Sequence, residues 1–306
     1  MSQRVEELLH RLKLGPLLWD GGMGTQLQAR GLPPGDAPER FNELHPEVVA
    51  SIHRDYFEAG ADGVETNSFG ANRIGLSRYE LGGKVSHWNR LAAQIARSVS
   101  PQGKWVAGSI GPTGQFPEPY GTCSLSEMYD AFAEQAVALK EGGADFFLVE
   151  TMVDLREAEE AVKACLREGG LPVFASVTFN QVPAGFRTLT GASPHDACRA
   201  LLGLGVSALG TNCSNSIDAM VEVTRELRSE CGSVPLSVMP NAGLPEMIEK
   251  KAVYPQTPEL MARKVKALLE AGANIVGGCC GTTPEHIRAF RVELDSLRKS
   301  KVEERA

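Results

Sequence analysis

Short apolar runs of β character alternate with longer amphipathic stretches along the whole chain, and this alternation limits the fold more than any other feature. Strand-like runs lie near 16–20, 62–66, 104–109, 145–150, 172–179, 206–212, 234–239 and 273–278. Helical patterns follow near 46–59, 87–99, 125–142, 154–168, 194–204, 216–230, 257–271 and 284–298. Strands joined through helices pair in parallel, and eight such units can close on themselves. The predicted fold class is α/β, a single (β/α)8 barrel of the TIM type.

Local signals agree with this periodicity. Pro46, Pro258 and Pro284 each stand at a first helical position and are followed by Glu, which faces the positive end of the helix dipole. Glycines recur where helices should stop, as in EAGAD (58–62), EGGAD (141–145) and EAGAN (270–274). No linker rich in Pro, Gly or Ser separates two halves, so one domain over 1–306 is expected, with the charged tail 298–306 fraying at its end.

Composition narrows the function classes. A net charge of −7 provides no general attraction to nucleic acid or anionic membranes. No run of about 18 apolar residues is present to span a bilayer. The first residues lack the basic-then-apolar plan of a signal peptide. Seven cysteines, an odd number, then argue for free or metal-binding thiols over a disulfide framework. The expectation is a reduced, acidic, cytoplasmic enzyme.

In such a barrel the chemistry sits where the strands end. Those positions hold Asp20-Gly21-Gly22, Glu65-Thr66-Asn67, Ser109, Glu150, Thr178, Asn212-Cys213, Asn241 and Gly278-Cys279-Cys280. Cys213, Cys279 and Cys280 end strands 6 and 8, which flank strand 7. Three converging thiols suit a soft divalent metal, and zinc with three protein ligands and one open position is a catalytic pattern. Three small buried cysteines are the plainer alternative. Neighbouring residues of a regular strand point opposite ways, an objection that the glycines around Cys279-Cys280 relax. The Asp20-Gly21-Gly22 turn can offer backbone N–H groups to a small carboxylate. Glu150 closes an apolar strand, either bracing a loop or meeting an ammonium group or a proton. No Lys ends a strand, and neither H-E-x-x-H nor G-x-S-x-G occurs, which sets aside Schiff-base, zincin and serine-hydrolase chemistry.

These residues match a family. The blocks DGGMGTQL (20–27), ETNSFGAN (65–72), GSIGPTG (108–114), ETMVDLREA (150–158), GTNCS (210–214), PNAG (240–243) and GGCCGTTPEHI (278–287) stand in family order over nearly the whole chain. The chain resembles the homocysteine S-methyltransferase family, most closely the homocysteine-binding barrel of cobalamin-dependent methionine synthases. The resemblance implies zinc on Cys213, Cys279 and Cys280 at the C-terminal mouth, with the homocysteine sulfur in the fourth position. It implies that Asn241 can occupy that position when substrate is absent. Asp20, Gly21, Gly22 and Glu150 would hold the amino acid's carboxylate and ammonium, with Thr66 and Asn67 lining the same pocket. No acid–base residue beyond the metal site is needed for the methyl transfer.

The expected activity is methylation of homocysteine to methionine through a zinc thiolate. The donor is expected to be methylcobalamin on a separate corrinoid protein or methionine synthase module, since eight βα units use up the 306 residues. Direct use of S-methylmethionine or another small sulfonium or ammonium donor is the alternative. A non-catalytic zinc- and homocysteine-binding module of a corrinoid system is a second one. Betaine-using relatives place an aromatic residue after the strand-4 Glu, where this chain has Thr151.

Overall fold

The computed structural model describes residues 3–213, 216–248 and 251–303. Its eight principal strands are β1 (Leu17–Leu18), β2 (Gly63–Glu65), β3 (Trp105–Ile110), β4 (Phe146–Met152), β5 (Val173–Val177), β6 (Ala208–Asn212), β7 (Leu236–Met239) and β8 (Ile275–Val276). They form one sheet in the order β1-β8-β7-β6-β5-β4-β3-β2, and every recorded pairing is parallel. Asp62 closes the ring between β1 and β2. Its N–H donates to Leu18 O (2.6 Å), and its carboxylate accepts from Leu18 N (2.9 Å), Lys104 Nζ (2.9 Å) and Arg291 Nη2 (2.7 Å). The expected (β/α)8 barrel is the observed one.

The eight expected helices are present, from Pro46–Glu58 to Pro284–Glu303. Ser124 and Ser193 open two of them with reciprocal capping boxes, and Thr257 caps a third. Gly60, Gly143 and Gly272 take positive φ (104°, 102° and 113°) at helix ends, the conformation their sequence context calls for. The tail continues the last helix as far as Glu303, held partly by Arg298 Nη2 on Pro16 O (2.7 Å); residues 304–306 lie outside the described residues.

Two features go beyond the alternation. Hairpins at Asn180–Val182/Gly185–Arg187 and Glu246–Ile248/Lys251–Val253 follow β5 and β7 on the mouth side. A further helix, Gln3–Leu14, sends Leu8 and Leu12 into the barrel's own interior cluster. Its apolar residues Val5, Leu8, Leu9 and Leu12 recur at helical spacing, so a sequence signal for it exists.

Strand alternation sorts the side chains. Trp105, Ala107, Phe146, Leu148, Phe174, Ala208 and Ile275 face the barrel axis, while Val106, Phe147, Val149, Val173 and Leu209 face the helices. Trp19, Phe146 and Phe174 stack across the axis, with centroids 5.6 and 4.4 Å apart, and make a solid floor. Gly63 has no side chain because the Trp19 ring occupies its place: a Cβ there would lie 2.2 Å from the indole.

Away from the mouth, Cys165 is buried in the outer core, and Cys198 and Cys231 bring their sulfurs within 2.9 Å between adjacent helices. Leu8 is fully buried, so Leu8→Ala should lower unfolding free energy by about 3 kcal/mol in urea denaturation, as fully buried Leu→Ala changes do. A loss under about 0.5 kcal/mol, the size of an ordinary surface change, would show that the N-terminal helix contributes little to the floor.

Candidate active site at the barrel mouth

The residues that continue the inward-facing positions above the aromatic floor are polar. Glu65 follows Gly63, Ser109 follows Ala107, Glu150 follows Leu148, Ser176 follows Phe174, and Asn212 lies in register with Ala208. One parity rule thus places a polar layer on top of an apolar one.

Asn212 is the hub of that layer. Its Oδ1 accepts from Ser176 Oγ (2.7 Å) and Thr151 N (2.9 Å). Its Nδ2 reaches Thr151 Oγ1 (2.7 Å), Glu150 Oε2 (3.2 Å) and Cys279 Sγ (3.8 Å). Thr151 takes a positive φ of 58° where the β4–β5 register shifts, a bulge of the kind that re-aims a strand end at a functional site.

The three cysteines come together. Cys213, Cys279 and Cys280 place their sulfurs within 4.8 Å of one another, the one group of potential metal-ligating side chains found among the described residues. Regular strand geometry would point Cys213 away from Asn212's side of the sheet. Its positive φ of 62° breaks that alternation while its N–H still bonds Met239 O (3.2 Å). Cys279 N donates to Pro240 O (2.9 Å), and Cys280 O accepts from Ala242 N (3.0 Å), fastening the cysteine pair to the end of β7. Gly281, at φ 79°, then turns the chain away, and Tyr254 sits against it. The Asn241 amide reaches Cys213 Sγ (3.7 Å), while its Oδ1 is buried without a hydrogen-bond partner. Three thiols and one orphaned oxygen are a donor set suited to a single soft metal ion.

Beside the sulfurs lie three carboxyls, Asp20 and Glu150 buried and Glu65 half-buried with its Oε1 out of water. Asp20 Oδ2 accepts from Glu65 N (2.9 Å), and Ser109 Oγ donates to Glu150 Oε1 (2.6 Å). Asp20 Oδ1 and Glu65 Oε1 have no hydrogen-bond partner. Burial pushes Glu150 up to about 7, while the hydrogen bonds from Ser109 and Glu65 hold it down. Burial raises Glu65 well above the carboxylate range, and Glu150 and Asp20 beside it add to the rise. Asp20 is raised by burial too, against the Glu65 N–H and with Glu150. No ion pair joins any of the three to Lys, Arg or His among the described residues.

Other expected residues take different places. The Gly22 N–H is donated to Thr282 Oγ1 (3.1 Å). Gly21 and Gly22 serve as clearance: a Cβ on Gly21 would lie 2.5 Å from Thr282 Oγ1, and one on Gly22 2.8 Å from Cys279 O. Thr66 and Asn67, expected to line the pocket, have their polar atoms engaged by protein. Thr66 Oγ1 meets Ser68 Oγ (2.6 Å) and Ser109 N (3.0 Å), and Asn67 Nδ2 bonds Pro38 O (2.9 Å) and Asn42 Oδ1 (3.0 Å). They brace the loops behind the mouth. Sequence reasoning passed over Glu65 and Asn212 as functional residues. The signal for both is strand parity, since Glu65 closes β2 on the inner face as Glu150 closes β4.

Residues 17–294 match the profile described as homocysteine S-methyltransferase. The chain belongs to that family. A methionine synthase from Mycobacterium tuberculosis is 40% identical over 311 residues, which cover 96% of this chain and 26% of that protein. One from Mycobacterium leprae is 39% identical over 300 residues, covering 92% and 24%. The chain therefore spans about a quarter of the length of these curated relatives. Among solved structures, the metallated form of the homocysteine methyltransferase MmuM from Escherichia coli superposes with a TM-score of 0.79 at 26% identity, covering 95% of this chain and 99% of that one. No helix among the described residues is long and apolar enough to cross a membrane.

A carboxyl whose pKa is raised by folding favours the folded state only while it is protonated. Its contribution is complete below the ordinary value near 4.5 and is lost as pH rises through the folded value, about 7 for Glu150. The metal-free, substrate-free family barrel should therefore lose thermal stability between about pH 5 and pH 8. Glu65→Gln should flatten that slope and raise the melting temperature at pH 8. A melting temperature independent of pH over this window would contradict the assignment of a proton to the trio.

Proposed function

We propose that this barrel methylates homocysteine to methionine at a zinc centre held by Cys213, Cys279 and Cys280. The observation that carries the reading is the reach of Asn212, whose single amide nitrogen contacts Glu150 (3.2 Å) and Cys279 (3.8 Å). Sulfur chemistry and carboxylate chemistry meet at one amide, as binding of an amino acid that carries both a thiol and an ammonium group requires.

Zinc held by Cys213, Cys279 and Cys280 would supply the positive charge that lets a thiol lose its proton at neutral pH, and Asn241 Oδ1 would be the protein's own further donor to it. The chain's residues do the rest. Glu150 and Asp20 hold the substrate ammonium, whose charge favours their ionised forms. Glu65 takes part by sharing a hydrogen bond with Glu150. The Asp20-Gly21-Gly22 turn gives the carboxylate end room beside the start of helix Met23–Ala29. The Trp19–Phe146–Phe174 floor blocks access from below, so the donor approaches from the open mouth. The substrate sulfur then attacks the methyl carbon, an S–C bond forms, and the donor departs with the electron pair. The product thioether is neutral and a weak metal ligand, which favours release.

The donor is read as methylcobalamin on a separate protein or module. Supporting this, the methionine synthases are more similar in sequence (40%) than MmuM (26%), and the barrel matches about a quarter of their length. The near-complete mutual coverage with MmuM favours a second reading, a barrel acting alone on a small sulfonium donor such as S-methylmethionine.

Methionine formation by zinc-loaded protein with each donor decides between them. Turnover with methylcobalamin and none with S-methylmethionine is the expected result. The reverse establishes the second reading, and homocysteine binding with no turnover from either makes the barrel a binding module. Cys213→Ala should remove stoichiometric zinc. Glu150→Gln should leave zinc in place and weaken homocysteine binding by tenfold or more, measured by calorimetry; loss of zinc in that variant would refute Glu150 as an ammonium partner.

A further inference from the structure

Two cysteines away from the mouth stand closer together than packing requires. Cys198, on helix Pro194–Gly203, and Cys231, the last residue of helix Ile217–Cys231, place their sulfurs 2.9 Å apart. Non-bonded heavy atoms attract best at about 3.5–4.0 Å, so two sulfurs that only filled space would sit farther apart. A bonded pair lies at about 2.0 Å, which leaves about 1 Å of approach to a covalent link. Metal binding does not account for the pair, because the one group of three potential metal-ligating side chains among the described residues is at the mouth.

The surroundings hold the two sulfurs face to face. His195 Nδ1 meets Glu230 Oε2 (2.6 Å) across the same helix seam, one residue before Cys231. The Cys198 S–H also reaches Leu227 O (3.9 Å), one turn before Cys231. Both cysteines are buried in the outer core with Leu201 and Leu227. Cys231 is the sulfur set up to attack. A hydrogen bond from Cys198 lowers its pKa, burial opposes this, and the Arg228 charge adds to the lowering. Arg228 is fixed at that helix end, its guanidinium donating to Val234 O (2.9 Å) and Gly272 O (2.7 Å).

We propose that Cys198 and Cys231 are a peroxide-sensitive dithiol whose disulfide ties their two helices together around β6. The Cys231 thiolate attacks one oxygen of hydrogen peroxide, an S–O bond forms, the O–O bond breaks, and hydroxide leaves to become water. The Cys198 sulfur then gives up its proton and attacks the sulfenic sulfur; the S–S bond forms, the S–O bond breaks, and a second water leaves. Two thiols are oxidised by two electrons and one peroxide is reduced to two waters. The loop so closed contains β6, Asn212 and Cys213, and a cross-link of this kind restricts the unfolded chain more than the folded one. The bond therefore secures the strand that carries one mouth cysteine while leaving the mouth itself untouched. Neither metal nor methyl donor enters this chemistry, so it stands or falls apart from the proposed activity.

The test treats the reduced full chain with a small excess of hydrogen peroxide, then alkylates it and digests it with trypsin without reductant. Cleavage after Arg187, Arg199, Arg225 and Arg228 puts Cys198, Cys213 and Cys231 on three different peptides. Mass spectrometry should find the peptides of Cys198 and Cys231 linked in most chains, and dithiothreitol should separate them. The melting temperature should rise by about 5 °C on oxidation, a rise absent from Cys198→Ser. In that variant Cys231 should stop at the sulfenic acid, which dimedone labels.

A link between Cys198 and Cys231 in only a minority of chains overturns the proposal, as does peroxide oxidation confined to the mouth cysteines. A melting temperature unchanged or lowered by the link overturns it too, because the bond would then strain the two helices instead of securing them. The wild-type peptide map needs no substitution, so the proposal remains open to refutation even if Cys198→Ser folds poorly.

Discussion

Buried negative charge without a protein partner organises the mouth of this barrel. Asp20 and Glu150 are buried and Glu65 is half-buried beside them, next to three thiols, and no Lys or Arg pairs with the carboxyls among the described residues. Isolated buried anions cost several kcal/mol each, so such a group either holds protons or receives cations. Raised pKa values describe the first state. The second needs a metal ion over the sulfurs and a cationic group over the carboxyls. A charge pattern that weakens the empty barrel is the same pattern that the proposed amino-acid thiol and its metal would neutralise.

The scaffold carries that cost in identifiable places. The aromatic floor and the Gln3–Leu14 helix fill the lower half of the barrel, and Asp62 with Lys104 and Arg291 ties the seam between the first two strands. Backbone strain marks the upper rim. Thr151 and Cys213, two of the three non-glycine residues with positive φ, both stand there, at φ 58° and 62°. Each breaks strand alternation at the point where the alternation would aim a side chain the wrong way. Asn212, between them in space, receives the Thr151 N–H, so the hub of the polar layer also holds the bulge.

Much of this was legible from residue order alone. The alternation of runs specified eight parallel strands because strand–helix–strand connections leave few other solutions, and the cysteines stood out as sulfur at strand ends. Glu65 was harder to read. It sits in ETNSF, where Thr66 and Asn67 are equally polar; strand parity puts Glu65 on the inner face, but only the folded barrel shows that its neighbours bond to the 38–42 segment and to Ser109. The partner of the glycine turn was not legible either: Thr282, some 260 residues further on, accepts the Gly22 N–H. Tyr254 lies in an irregular stretch after a hairpin, where no periodicity marks a ring that ends against Gly281.

The sequence by itself determined the barrel, the membership of its strands and the chemistry types at their ends, because those follow from local periodicity and residue identity. Tertiary structure alone decided which of those ends act together. Closing eight strands into a ring brings Asp20, Glu65 and Glu150 together and lets one amide touch both a carboxylate and a sulfur. Those are contacts between residues far apart in the chain, and their geometry depends on strand curvature, two backbone distortions and the placement of loops. None of these is encoded in any single stretch of sequence.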